Sequence, residues 1–406
     1  MQNLMSRTAY TLNNTSHLSL QAQTGKVLFD KDGFYTPETL SRMKHTGDPE
    51  ADAIVEELYQ NGSDCVAQFN RAMEELRQGK DWLCKESRRG LSDSVINFLA
   101  KGKDVGKSRR GWDEERLRNG TRVHRRYSLH TTIVLQLATM PYLYAARNAM
   151  KVLTATKRLK DDAQRRSVET AQMFFDVMHP KCFTPEGYGW RSCQKVRLLH
   201  AAVRRMILRS GRWDQEAWGV PINQMEMIGT LYGFSILVLD GLKELGAEIG
   251  ESDREDFYYR WQAVGEWLGI QPEFICKDIP RASQNQQRMV EQQFGESPEG
   301  RVLIDSWLEA MQEMAPLERM RPYASAAIEC MVGSKVAKFL GLTSTPEELG
   351  TARKVLRQLG PPDRWIGKRG WGRKAYNVGT YSLLMTLFVK ERGWRRPSFA
   401  LPVRKR

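Results

Sequence analysis

The residues most able to do chemistry stand together in Gln194-Lys195-Val196-Arg197-Leu198-Leu199-His200-Ala201-Ala202-Val203-Arg204. Val196, Leu199, Val203, Met206 and Ile207 recur at helical spacing and define an apolar stripe, while Arg197, His200 and Arg204 fall at i, i+3 and i+7 beside it. That register turns the imidazole inward between two guanidiniums. Such a group suits a buried anionic cofactor, and haem meets the description: a ring nitrogen takes the iron and arginines pair the propionates. On spacing alone, the same histidine also reads as an ordinary core residue. The chain has six histidines, and none lies in an H-x-x-x-H, H-E-x-x-H or paired C-x-x-C arrangement, so a site built from several histidines has no motif to support it.

Positioning His200 requires elements that face it. The spacing predicts one helix over 190–209, stopped by Gly211, and a facing helix over 165–178, ending near Pro180. The connection between them holds Pro180, Pro185, Gly187 and Gly189, short enough for an antiparallel or crossed pair on either side of a planar group. Residues 128–150 read as one long buried helix kinked at Pro141. Its Leu135, Leu137, Met140, Tyr142 and Tyr144 suit either a pocket wall or plain core. Asn223 stands three before Glu226, a helix start that carries Leu231, Phe234, Val238 and Leu242 inward. Thr230 and Ser235 on that helix would touch a ligand or satisfy their own backbone.

Further helix starts are Thr36-Pro37-Glu38, Asp48-Pro49, Ser252-Asp253-Arg254-Glu255 and Thr345-Pro346-Glu347-Glu348. Residues 52–76 keep a helical period apart from a break at Asn61-Gly62-Ser63. Residues 100–126 read as a charged connection and 361–374 as loop, with a last helix over 380–391. No stretch alternates as a strand would, so the expected fold is all-α. The expected organisation is an irregular arm (1–35), a single helical unit (36–360) and a basic extension (361–406).

The formal net charge is +14 over 406 residues. Clusters such as Lys107-Ser108-Arg109-Arg110 and Arg404-Lys405-Arg406 invite a nucleic-acid reading. No zinc finger, RNA-recognition signature or basic zipper accompanies them, and scattered basic faces serve solubility or attraction to an anionic surface equally well. Nucleic acid is not an expected partner. The six cysteines are widely scattered and predict no disulfide framework. The start of the chain has no apolar run before a cleavage site, and Met227–Leu239, the longest apolar stretch, is too short to cross a bilayer. A cytoplasmic location is expected, or a secreted one if a leader was removed. No oligomeric state is read.

Ordered blocks carry a family resemblance: His45-Thr46-Gly47-Asp48-Pro49-Glu50-Ala51-Asp52-Ala53, then 163–170, then Lys195 to Arg204, then Trp213-Asp214, Trp218-Gly219-Val220-Pro221-Ile222-Asn223-Gln224, Gly229-Thr230 and Phe234-Ser235. In their order and spacing the chain resembles the latex-clearing-protein family of rubber oxygenases, from about residue 36 to about 345. The resemblance implies a globin-like helical core around haem b, with His200 as axial iron ligand and Arg197 and Arg204 as structural or propionate partners. It also implies dioxygen as co-substrate and a hydrophobic alkene, an isoprenoid or polyisoprene, cleaved or oxygenated at its double bond. A monooxygenase or peroxidase acting on another small molecule is the alternative that keeps the haem. A basic helical protein binding an acidic partner is the alternative that discards it.

On the side opposite His200, rubber-cleaving members show Arg-x-x-Lys-Thr, where this chain reads Arg166-Ser167-Val168-Glu169-Thr170. Glu169 therefore stands where the family has a lysine able to occupy the iron. A carboxylate there suits a general base or a group that steers dioxygen, with Arg166 and Thr170 as hydrogen-bonders. By spacing alone the three also read as a solvated Arg/Glu pair, worth about 0.3 kcal/mol. Residues 141–157 contain no Asp or Glu, which leaves Glu169 as the candidate carboxylate.

Overall fold

A computed structural model describes residues 28–62, 64, 66–71, 91–100, 111–155, 163–184, 187–314, 323–361 and 370–391. Among these residues the secondary structure is helical, with two isolated bridges, Phe29 to Tyr35 and Ala146 to Phe294, and no strand.

Local sequence sets the helix ends. Helix α1 (Pro37–Lys44) starts with Thr36 Oγ1 accepting from Thr39 N at 3.2 Å, and α2 (Pro49–Gln60) with Asp48 accepting from Ala51 N at 3.2 Å. Each satisfies an N–H that the first helical turn leaves unpaired. The expected charged connection over 100–126 is not continuous loop: 111–126 hold two short helices, Glu114–Asn119 and α3 (Arg122–Arg126).

The single long helix expected over 128–150 is three. Helix α4 (Ser128–Val134) runs into a π-helical turn, Leu135–Thr139, then α5 (Met140–Tyr144), and the chain bends at Ala145-Ala146 before α6 (Arg147–Ala155). Pro141, which has no N–H to give to the preceding turn, directly follows the π-helical turn, and the bend falls beyond it.

Helices α7 (Ala163–Met178) and α8 (Gly189–Arg209) form the expected pair. Asp176 Oδ2 accepts from Ser192 Oγ at 2.5 Å, tying the end of one to the start of the other. Arg260 closes that end. It is fully buried, and its guanidinium donates to the carbonyls of Val177, His179 and Leu117. Helix α9 (Gln224–Phe234) carries the predicted capping box between Asn223 and Glu226. It breaks at Ser235, whose hydroxyl bonds the Leu231 carbonyl, and continues as α10 (Ile236–Glu244).

Residues 224–244 are together long and apolar enough to cross a bilayer, longer than the apolar stretch read from the sequence, but most of this segment is buried inside the fold. Leu231, Phe234, Val238 and Leu242 all point into the core. Helix α11 (Glu251–Trp267) starts at Glu251 after Gly250, without the side-chain cap that the sequence suggests at Ser252. Helix α12 (Ile279–Gln293) packs on α9. The last helix, α13 (Trp371–Glu391), begins nine residues earlier than the period indicates and lies against α3 and α4.

Two buried clusters result. The larger surrounds α9, α10 and α11; the smaller joins Ile54, Val55 and Leu58 of α2 to Leu198, Ala201 and Ala202 of α8. Helix α8 thus has a packed face toward α2. Its other apolar stripe, Val196, Leu199 and Val203, is only half-buried, and Met206 is 41% exposed. Leu199 and Val203 of that stripe face a cavity.

A cavity between the paired helices

The cavity has a volume of about 340 Å³. Leu199, His200 and Val203 of α8 form one wall, and Met227, Gly229 and Thr230 of α9 another. Met140, Tyr142 and Tyr144 close it from α5, as do Met289 and Phe294 at the end of α12, and Glu169 enters from α7. The lining is predominantly apolar, as in sites that hold organic ligands. Leu135 and Leu137 do not line it.

His200 is half-buried because its ring looks into this space. Burial holds its pKa down at about 4, with the Arg204 charge acting the same way. The imidazole is therefore neutral at pH 7, with a lone pair free for a metal. Its Nδ1 is buried without a hydrogen-bond partner.

Of the three residues expected opposite His200, Glu169 lines the cavity and Thr170, next to it on α7, does not. Arg166 lies on the same helix, but its side chain falls outside the described residues. The structure brings Glu169 and His200 to one cavity from the two paired helices.

Arg197 and Arg204 lie elsewhere. Arg197 pairs with Asp48, through Nε and through Nη2 at 2.8 Å, and with Glu50 at 2.8 Å. Arg204 Nε bonds both oxygens of Asp52 at 2.9 and 3.0 Å, and its Nη1 bonds the Ile222 carbonyl at 2.7 Å. Neither lines the cavity. They fix α8 to α2, which is the structural one of the two roles expected of them. Their partners, Asp48, Glu50 and Asp52, all come from one short segment.

The blocks that carry the resemblance meet around this junction. Gln224 Nε2 donates to the carbonyls of Gly47 (2.6 Å) and Gly269 (3.0 Å), and its Oε1 accepts from Gln271 N at 2.9 Å. Gly269 has φ +89°, and a Cβ there would overlap Asp48 and Arg197.

Glu226 is a site residue that spacing revealed only as a helix cap. It lines the cavity, its Oε1 is buried without a partner, and burial raises its pKa to about 7. The available signal was a glutamate inside a mainly apolar run, Met225 to Leu231. Thr230 lines the cavity too, while its hydroxyl bonds the Glu226 carbonyl at 2.9 Å.

A haem fits these residues in part. A neutral imidazole on an apolar wall is a suitable axial donor. No lysine or arginine is among the described lining residues, so partners for the propionates are not found there.

The chain has relatives of known kind. It is 26% identical over 187 residues to a rubber oxygenase of Streptomyces sp. (strain K30), a match spanning 46% of each protein. The match thus spans about half the length of that relative. Its fold superposes on the structure of latex clearing protein LCP in the closed state with a TM-score of 0.70 at 19% identity, covering 88% of this chain and 94% of that one. Residues 125–360, which include His200, Glu169 and Glu226, match the family described as ER-bound oxygenase mpaB/B'/Rubber oxygenase, catalytic domain. With more than half its length in that match, the chain belongs to the mpaB/rubber oxygenase catalytic-domain family.

Proposed function

We propose that this protein is a haem b oxygenase that uses dioxygen to cleave or oxygenate a carbon–carbon double bond of a hydrophobic, isoprenoid-type substrate. The observation that carries the reading is the neutral His200 and the carboxyl of Glu169 lining one apolar cavity inside the family's catalytic domain. When bound, haem iron would supply the redox chemistry that addition of triplet dioxygen to a spin-paired alkene requires.

The chain's own residues supply the rest. His200, uncharged at neutral pH, would hold the iron. Leu199, Val203, Met227 and Met289 exclude water and accommodate an alkene by apolar contact. Glu169 acts as the base. Cleavage of an alkene by one dioxygen leaves two carbonyl products and all of the substrate's hydrogens, so an allylic proton taken by Glu169 must be returned. A carboxylate near the reacting carbon can do both. Arg197 and Arg204 act structurally, by holding α8 against α2.

The test is an absorption spectrum of the purified protein before and after dithionite, followed by product analysis with an isoprenoid alkene under labelled dioxygen. Expected are a Soret band at about one haem per chain and two carbonyl fragments, each carrying label. One intact oxygenated product would favour a monooxygenase; a colourless protein that takes up no haem would overturn the reading.

A further inference from the structure

Helix α13 is turned with its polar side inward. A surface helix ordinarily buries its apolar stripe and gives its polar side to water. Here Arg373 is buried with its guanidinium over the Tyr376 ring, and Asn377, Thr380 and Tyr381 are half-buried on the same side, joined by Leu384. Tyr381 meets the buried His124 of α3 edge-on, with ring centroids 6.3 Å apart. The outward side holds Ala375, Gly379, Lys374, Ser382 and Thr386 together with Trp371, Val378 and Leu383. The last three are 86%, 60% and 56% exposed, more than any other large apolar side chain among the described residues. Single exposed apolar residues need no explanation, but three along one side of one helix mark a contact surface.

Positive charge is gathered at the same end of the chain. From Trp371 to Arg406 there are nine Lys or Arg and one acidic residue, Glu391, so 36 of the 406 residues carry +8 of the net +14. This composition selects what covers the helix. A second copy of the chain would set like charge against like. A nucleic acid would take the charge and leave Trp371, Val378 and Leu383 in water. An anionic bilayer takes both, since basic side chains are drawn to its headgroups while Trp, Val and Leu enter the boundary between headgroups and acyl chains. Arg373, Lys374 and Lys390 suit α13 to the plane of that boundary and not to a crossing of the bilayer.

We propose that α13 docks this protein on the surface of a bilayer containing anionic lipid. Trp371, Val378 and Leu383 enter the interface, and the basic residues of 371–406 supply the attraction. The inward polar side stays on α3 and α4, so docking requires no rearrangement of the fold. The contact is independent of what the cavity holds.

Sedimentation of the full chain with vesicles tests the proposal. One set is pure phosphatidylcholine; the other has about one part phosphatidylglycerol to two of phosphatidylcholine, enough to give a negative surface potential. Expected is pelleting with the anionic vesicles and not with the neutral ones, weakened by added salt. The triple variant Trp371→Ser, Val378→Ser, Leu383→Ser should bind the anionic vesicles about tenfold or more weakly. It changes exposed positions alone, so its far-UV circular dichroism should match the wild type. Failure of the wild type to pellet with anionic vesicles would overturn the proposal. Equal binding by the folded variant would also overturn it, by showing that charge acts without the apolar side. So would a wild-type dimer in light scattering that the variant converts to monomer, which would assign the surface to a second copy.

A single substitution gives a readout that does not depend on the triple variant folding. Lipid brominated on its acyl chains should quench the tryptophan fluorescence of the vesicle-bound wild type more than that of Trp371→Phe. Equal fractional quenching in the two proteins would place Trp371 outside the bilayer and overturn the proposal.

Discussion

Arg197 donates to both carboxylate oxygens of Asp48, which lies 149 positions earlier and also caps the helix starting at Pro49. One side chain therefore starts α2 and anchors α8 three residues before His200. Arg204, four residues after His200, is held by Asp52 of the same helix. The imidazole is bracketed by two ion pairs to one neighbouring helix, which fixes its height and rotation at the cavity wall.

Asp48→Ala would remove the helix cap and leave a mostly buried guanidinium with only the half-exposed Glu50 as partner. Breaking a buried pair from one side costs about 3–5 kcal/mol, and the remaining Glu50 pair places the effect toward the low end. Urea denaturation should show the midpoint falling with the slope unchanged. A loss below about 1 kcal/mol, the value of an exposed pair, would contradict this account.

Glu169 and Thr170 are adjacent on α7, and only Glu169 lines the cavity. Glu169→Gln should therefore lower turnover by about 10²–10⁴-fold, the range for a lost general base, with haem content retained. Thr170→Val should leave turnover within a few fold. Equal losses from the two substitutions would mean that α7 acts through its packing and that Glu169 is no base.

The sequence made most helix starts legible, since Thr36, Asp48, Asn223 and Thr345 cap through contacts that lie within three residues. The pairing of His200 with Glu169 was legible only through the resemblance. What was not legible depends on long-range contact. Arg197 and Arg204 resemble propionate partners until Asp48, Glu50 and Asp52 arrive from about 150 residues away. Glu226 shows its cap in the spacing and not its cavity-facing oxygen, because one side chain performs both tasks. Pro141 suggested a kink that the π-turn before it and the bend after it replace.

The buried histidines should cost the haem-free protein stability in a definite acid window. Burial holds His124 and His200 near pKa 4 in the fold, against 6.5 for an ordinary histidine. Between about pH 6.5 and 4 the unfolded chain binds protons that the folded one refuses, so stability present above pH 6.5 is lost as pH falls. Glu226 works oppositely: raised to about 7 from 4.5, it contributes stability below pH 4.5 that disappears toward pH 7. Asp52, Asp240 and Glu255, raised by burial, act in the same direction as Glu226, so the histidine contribution is read by substitution. His124 is buried between Phe174 and Phe175, with both ring nitrogens unpartnered. His124→Phe should remove about 3 kcal/mol of the acid-induced loss, leaving the contributions of His200 and Glu226 nearly cancelling between pH 4.5 and 6.5. Urea midpoints at pH 4.5 and 7 measure it, and an unaltered difference between them would refute the assignment.

The proposal that His200 holds the iron has a test in two directions. His200→Ala should purify with less than about a tenth of the wild-type haem, because no second histidine lines the described cavity and a carboxyl is a poor substitute for a neutral imidazole. The fold should persist, since the ring faces open space and its removal strips no packed core face, and an unchanged far-UV circular dichroism spectrum would establish that. The space left by the ring is about the size of imidazole and opens on the cavity, so imidazole added with haem should restore the Soret band to the variant. Full haem in His200→Ala without added imidazole would place the iron on another residue. A variant that stays colourless with imidazole, while remaining folded, would contradict the assignment of that space to an iron ligand.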